Sequence, residues 1–150
     1  MLLIQHGDEM DEIALEIAKQ CLAGQIKIVS RVVIGIYDRE LKSSGLKITQ
    51  ASILVHLLAY GSRSGGALGR SLQMDKSTVS RNVDRMERNG WVQKTDEENV
   101  EITEFGRELI LSARPQWEKA QKIVCNMFGS DGVDAVKLLT DKVKNRNKRK

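Results

Sequence analysis

The chain has 150 residues, 41% of them hydrophobic, which suits one domain with a core of its own. Six aromatic residues and a single proline point to aliphatic packing in a mostly helical chain. The net charge is +4, but the last nine residues, KVKNRNKRK, hold six Lys or Arg, so the rest carries 18 basic against 20 acidic residues; basicity alone is a poor pointer to nucleic acid.

Cys21 and Cys125 lie far apart without a CxxC or Cys/His spacing, which excludes a disulfide framework and a zinc site. No metal and no cofactor are expected. The cysteine usage fits a reduced, cytoplasmic compartment. The opening MLLIQHGDEMDE lacks the basic and long apolar regions of a signal peptide. No apolar run approaches the roughly 18 residues of a membrane span, so no membrane partner is expected.

In chain order, residues 1–7 read as a loose lead-in. A long helix is predicted from Asp8 to about Ser43, with Ile13, Ile17, Leu22, Ile26, Val29, Val33, Ile36 and Leu41 recurring mostly at steps of three and four. A helix of that length needs a partner along it, and Gly24 and Gly35 mark places where it can kink. Ser43-Ser44-Gly45 ends it. Thr49 is the expected cap of a second helix through QASILVHLLAYG, burying Ile53, Leu54, Leu57 and Leu58. His56 in that run reads as a solvent-facing or hydrogen-bonded helix residue.

The most informative stretch is Ser64–Val92. Ser64 can cap a helix carrying Leu68 and Leu72, and Met74 fills a tight turn. Asp75 then caps a second helix whose apolar stripe is Val79, Val83 and Met86. Asn89-Gly90 is the stop. The outward face holds Ser77, Arg81, Asp84 and Arg88, flanked by Thr78, Ser80 and Arg85. Small hydroxyl residues let a helix approach a DNA groove, and arginine further along reaches guanine edges or phosphates. Between Gly61 and Thr95, seven Lys or Arg face three acids, a local excess at this face.

After Gly90 the period alternates. Trp91–Thr95 and Asn99–Ile102 are predicted strands of a hairpin with an acidic tip, Asp96-Glu97-Glu98. A hairpin directly behind such a helix is a wing, so residues 46–103 read as a winged helix-turn-helix. Thr103-Glu104 restarts helix, Pro115 is expected to bend it near residues 111–114, and Gly129–Gly132 is a predicted turn. A last amphipathic helix carries Val133, Val136, Leu139 and Val143. The fold class is therefore mainly α with a small β-hairpin wing: an N-terminal helical region 1–45, the winged region 46–103, C-terminal helices 104–144 and a basic tail 145–150, in one compact domain.

These residues resemble the MarR family of bacterial transcription regulators. GLKITQASILVHLL is similar to the opening of the family's second helix. LGRSLQMDKSTVSRNVDRMERNGWV follows its reading-head pattern at Leu72, Asp75, Ser77, Thr78, Val79, Arg81, Val83, Glu87 and Gly90. ITEFGRELI resembles its strand-to-helix junction at Thr103, Gly106 and Leu109. The resemblance implies a homodimer joined through the terminal helices, two winged regions on a pseudo-palindromic site in double-stranded DNA, and release by a small aromatic effector in many members. Some members respond to cysteine oxidation, which makes Cys21 a redox candidate beside its reading as a buried, inert thiol. The wing departs from the family pattern, because its tip has no arginine and Lys94 is the hairpin's single base.

The residues expected to read base edges are Ser77, Thr78, Ser80 and Arg81, and those expected to meet phosphates are Lys76, Arg85, Arg88 and Lys94. Asp84 is able to accept from a cytosine amino group, but a bridge to Arg81 or Arg88 along its helix is the leading expectation. The leading expectation is a repressor acting as a homodimer. The alternative is a winged-helix interaction module with weak or no DNA binding, supported by the acidic wing. No phosphate loop, metal cluster or nucleophile–base pair suggests an enzyme.

Overall fold

The computed structural model describes residues 2–95 and 98–147, with side chains from 9 to 95 and 98 to 146. The chain divides between Gly35 and Ile36 into two compact units. Seven α-helices and three short strands are formed by the described residues.

The predicted long helix is two, α1 (Leu2–Gln20) and α2 (Leu22–Glu40), and α1 starts inside the expected lead-in. The interruption is one residue wide. Cys21 N–H still donates to Ile17 O (2.9 Å) and Gln25 N–H to Cys21 O (3.1 Å). The Gln25 side-chain amide also donates to Lys19 O (2.9 Å), so a side chain serves a carbonyl of the last turn of α1. Within residues 9–35 most large apolar side chains, including Met10, Ile13, Ile17, Leu22 and Ile26, are exposed on the single chain.

In the second unit α2 passes into a 3₁₀ turn, Leu41–Ser44, which Gly45 closes in the left-handed conformation (φ 77°). Helix α3 spans Ile48–Tyr60, and its cap is not Thr49. Gln50 Oε1 accepts from Lys47 N–H (3.0 Å), and the Asp38 carboxylate accepts from Ile48 N–H (2.8 Å) while pairing with Lys47 Nζ (3.3 Å). The orphan donors are thus met partly from α2 rather than from within the helix.

Strand β1 (Arg63–Ser64) leads into α4 (Gly65–Leu72), and α5 follows at Lys76–Arg88. The hairpin is β2 (Val92–Lys94) and β3 (Asn99–Ile102), paired Val92 to Ile102 and Lys94 to Val100. The expected two-stranded wing is an antiparallel three-stranded sheet, because Arg63 and Ser64 pair with Val100 and Asn99 in the order β1-β3-β2. Two residues are too few to show an alternating pattern, so this strand has no sequence signature. The tip residues Asp96 and Glu97 lie outside the described residues, as do residues 148–150 of the basic tail.

Helix α6 (Glu104–Ser112) is capped by Thr103, whose hydroxyl accepts from Gly106 N–H (3.1 Å). The chain does not merely bend before Pro115. It leaves the helix at Ala113 and starts α7 (Arg114–Asn147) with proline in its first turn, where no backbone donor is missed. Of the predicted turn 129–132, Gly129 alone leaves the helical region (φ 68°, ψ 176°). The core joins Leu41, Leu46, Ile53, Leu54, Leu57, Leu68, Val79, Val83, Met86, Trp91, Val92, Val100 and Ile102, so α3, α4, α5 and the sheet share one interior. No helix among the described residues is long and apolar enough to cross a membrane.

Candidate nucleic-acid interface

Helix α5 is held by its apolar stripe and presents its other face. Val79, Val83 and Met86 are buried, whereas Lys76, Ser77, Ser80, Arg81, Asp84, Arg85 and Arg88 are exposed. The turn before it is tight. Met74 N–H donates to Gly69 O (2.9 Å), and a side chain at Gly69 would come within 2.9 Å of the Met74 carbonyl. Gly69 therefore sets how closely α4 and α5 join, and with it the angle at which α5 is offered.

Asp75 orders the start of α5. Its Oδ1 accepts from Thr78 N–H (2.8 Å) and from Ser77 Oγ (2.6 Å), and its Oδ2 accepts from Thr78 Oγ1 (2.6 Å). These donors, the Ser77 and Thr78 hydroxyls first and the Thr78 amide after them, hold the carboxyl well below the usual carboxylate range. Arg81 Nη2 reaches Thr78 Oγ1 at 3.5 Å, so three of the four predicted base-reading residues, Ser77, Thr78 and Arg81, form one hydrogen-bonded chain around Asp75. Ser80 lies exposed beside them. At the far end Gly90 (φ 73°) closes the helix, with Gly90 N–H on Glu87 O and Trp91 N–H on Met86 O, both 2.9 Å.

Asp84 does not bridge to Arg81 or Arg88. It pairs with Lys94 of β2 (Nζ–Oδ1 3.2 Å), and Glu87 pairs with the same ammonium (3.4 Å). The wing folds back onto α5, so a partner on β2 outcompetes one along the helix. Asp84 first and Glu87 second hold the Lys94 ammonium above its ordinary value. This clamp escapes sequence reasoning, because β2 is separated from α5 by a turn whose direction the sequence does not display. Of the four predicted phosphate-binding residues, Lys76, Arg85 and Arg88 stand exposed on α5, and Lys94 is engaged by two carboxylates.

A second feature lies on the other side of α3. An apolar cavity of about 500 Å³ is lined by Leu41, Ile48, Ala51, Leu58, Ile110 and Trp117 among others, with Ser52, Arg114 and Glu118 as its polar elements. Arg114 and Glu118 pair across one helical turn (2.7 Å). His56 faces away from solvent more than expected. Among the described residues its Nε2 is buried without a hydrogen-bond partner, and its ring packs on Tyr60 (4.7 Å), over which Arg63 lies (5.7 Å). Burial, and then the Arg63 charge, lower its pKa.

Cys21 is exposed on the isolated chain rather than buried. Cys125 is half-buried and accepts from Gln121 Nε2 (3.5 Å), while Tyr37 OH donates to Gln121 Oε1. Among the described residues no group of three His, Cys, Asp or Glu is placed to hold a metal ion.

Residues 44–100 match a model described as the MarR family. The HTH-type transcriptional regulator YwoH of Bacillus subtilis is 27% identical, over 71% of this chain and 93% of that protein. The crystal structure of the M. tuberculosis transcriptional regulator MosR superposes with a TM-score of 0.76 at 26% identity, covering 89% of this chain and 99% of that one. The organohalide-sensing regulator RdhR, solved in its 2,4-dichlorophenol-bound form, gives a TM-score of 0.73 at 22% identity over 85% of this chain and 80% of that one.

Proposed function

We propose that this chain, whose residues 44–100 match a model of the MarR family, is a transcriptional regulator of that family which binds double-stranded DNA as a homodimer and represses from a pseudo-palindromic operator. One observation carries the DNA-reading assignment. Helix α5 buries Val79, Val83 and Met86 and leaves Lys76, Ser77, Ser80, Arg81, Arg85 and Arg88 on one open face. In that reading Ser77, Thr78, Ser80 and Arg81 meet base edges, and Lys76, Arg85 and Arg88 meet phosphates.

The exposed apolar residues support the dimer. Ile13, Ile17, Leu22 and Ile26, and Val136, Leu139 and Val143 in α7, are a cost to a chain that stays alone in water. Residues 1–45 and 104–144 supply those surfaces. A two-fold pair then sets two α5 helices about 34 Å apart, one turn of DNA.

Titration of labelled operator at several salt concentrations tests the assignment. Arg81→Ala is expected to lose roughly 1–3 kcal/mol on the operator and to narrow the gap between operator and random DNA. Equal loss on both makes Arg81 a phosphate contact instead.

The cavity beneath α3 suits a small aromatic effector, since its volume and apolar lining match those of ligand pockets. Trp117 lines it and Trp91 is buried elsewhere, so 2,4-dichlorophenol is expected to quench Trp117 emission and to release DNA over the same concentration range. Trp117→Phe is expected to abolish the optical change. DNA release without quenching would place the effector elsewhere.

The clamp on Lys94 favours a second reading, an interaction module without strong DNA binding, because it occupies the hairpin's single base. Failure to retain any duplex at low salt would decide for it.

A further inference from the structure

We propose that Ser77 and Thr78 meet DNA solely as hydrogen-bond acceptors, so the first turn of α5 favours, on the base edge each hydroxyl faces, an exocyclic amino group, N6 of adenine or N4 of cytosine, and thereby fixes which strand carries that base. The proposal rests on α5 being the DNA-reading helix and adds which base edges it can read.

A hydroxyl has a single proton and two lone pairs, and an ionised carboxylate has no proton to give. Ser77 Oγ lies 2.6 Å from Asp75 Oδ1, and Thr78 Oγ1 lies 2.6 Å from Asp75 Oδ2. In both contacts the hydroxyl must be the donor. Both protons therefore point back at Asp75, and what faces outward is lone pairs. Thr78 Oγ1 also receives Arg81 Nη2 at 3.5 Å, which leaves it one lone pair, while Ser77 keeps two.

An outward lone pair discriminates sharply. Guanine N7 and O6, thymine O4 and every phosphate oxygen are acceptors and repel it. In the major groove the amino groups of adenine and cytosine are the matching donors. The usual freedom of a serine or threonine to meet either kind of edge, or a phosphate, is thus removed by Asp75. Asp75 acts as a positioning residue without touching DNA. Arg81 is all donor and is tethered to Thr78, so it remains the group for acceptor edges such as guanine. The helix then presents acceptors in its first turn and donors one turn later, a polarity that an operator half-site must mirror.

The test begins by selecting duplexes from a random pool with the full-length chain. The selected site is resynthesised with one amino group removed at a time, purine for adenine and 2-pyrimidinone for cytosine. In each half-site at least one such removal is expected to weaken binding about fivefold, the effect of one hydrogen bond. That sensitivity should vanish in Ser77→Ala or in Thr78→Val, neither of which disturbs the Thr78 N–H bond to Asp75.

Asp75→Asn provides an independent arm. Asn caps as well as Asp, and its Oδ1 can keep the Thr78 amide. Its Nδ2 only donates, so it turns the proton of the facing Thr78 hydroxyl outward. The base preferred at the Thr78 position is expected to change from adenine or cytosine to guanine or thymine, with the circular dichroism unchanged. Selection of DNA in which every amino removal is neutral, or in which Ser77→Ala and Thr78→Val uncouple a guanine or thymine, overturns the proposal and leaves α5 as the DNA-reading helix. Failure to select any DNA overturns both.

Discussion

Asp84→Asn combined with Glu87→Gln is expected to tighten binding to duplex DNA of any sequence, on the order of tenfold at low salt, one phosphate contact being gained and two repelling charges lost. In the native chain Lys94 Nζ is held 3.2 Å from Asp84 and 3.4 Å from Glu87. With the carboxylates neutralised, the hairpin's one ammonium is free to meet the backbone. The slope of log affinity against log salt should steepen by about 0.9, the signature of one more phosphate neutralised. Lys94→Ala supplies the control. Alone it should leave the salt slope little changed, because the clamp already occupies the ammonium, and in the double variant it should cancel the gain in slope while leaving the part of the affinity gain owed to the two lost charges. A large loss from Lys94→Ala in the otherwise native chain would show that Lys94 serves DNA despite its partners.

The clamp also shows where a sequence stops being legible. Features decided within a few residues can be read directly. Ser64, Asp75 and Thr103 cap the helices that follow them, Asn89-Gly90 ends α5, and Val79, Val83 and Met86 fall on its buried side. Each depends on local hydrogen bonding or on helical period. Features made by two distant segments leave no local trace. Asp38 completes the start of α3 from ten residues upstream, a role that nothing around Thr49 suggests. Arg63 and Ser64 become a strand because Val100 and Asn99 come to them. Asp84 has arginines at helical spacing on either side, yet its partner is on β2. The cavity beneath α3 is likewise built by side chains as separate as Leu41, Leu58 and Trp117.

For the site the consequence is uneven. The face of α5 follows from period alone, and the structure exposes the predicted basic residues on it. The polarity of that face does not follow from period. It depends on where two hydroxyl protons point, and that is set by contacts of 2.6 Å to Asp75. A sequence shows that serine and threonine are present and leaves them able to donate or accept. The same holds for charge. Counting seven bases against three acids between Gly61 and Thr95 overstates the free positive charge, because two of those acids hold one of those bases. The exposed positive charge on α5 and the hairpin is smaller than the composition suggests, since Lys94 is paired while Lys76, Arg85 and Arg88 stand exposed.

Gly106→Ala is expected to destabilise the chain by about 3 kcal/mol or more, a large effect for the addition of one methyl group. A Cβ there would overlap the carbonyl oxygen of Trp91, stand 3.0 Å from its carbonyl carbon and come within 2.9 Å of Ile102 Cγ1. None of these neighbours moves cheaply. Trp91 O accepts from Thr103 N–H (3.1 Å), and Trp91 N–H is tied to Met86 O at the end of α5. The Thr103 hydroxyl donates to Gly90 O (2.6 Å) while accepting from Gly106 N–H. Relief of the overlap must therefore lift α6 from the sheet or break the bonds that fix β2 behind α5. The first exposes core around Trp91 and Ile102, and the second lets the hairpin and Lys94 drift from Asp84 and Glu87. Urea unfolding reads the stability, and titration with DNA below the unfolding midpoint reads the placement of the wing. Native-like stability in Gly106→Ala would mean that the junction between Gly90 and Gly106 yields without cost, and that the wing's position is set by the sheet alone.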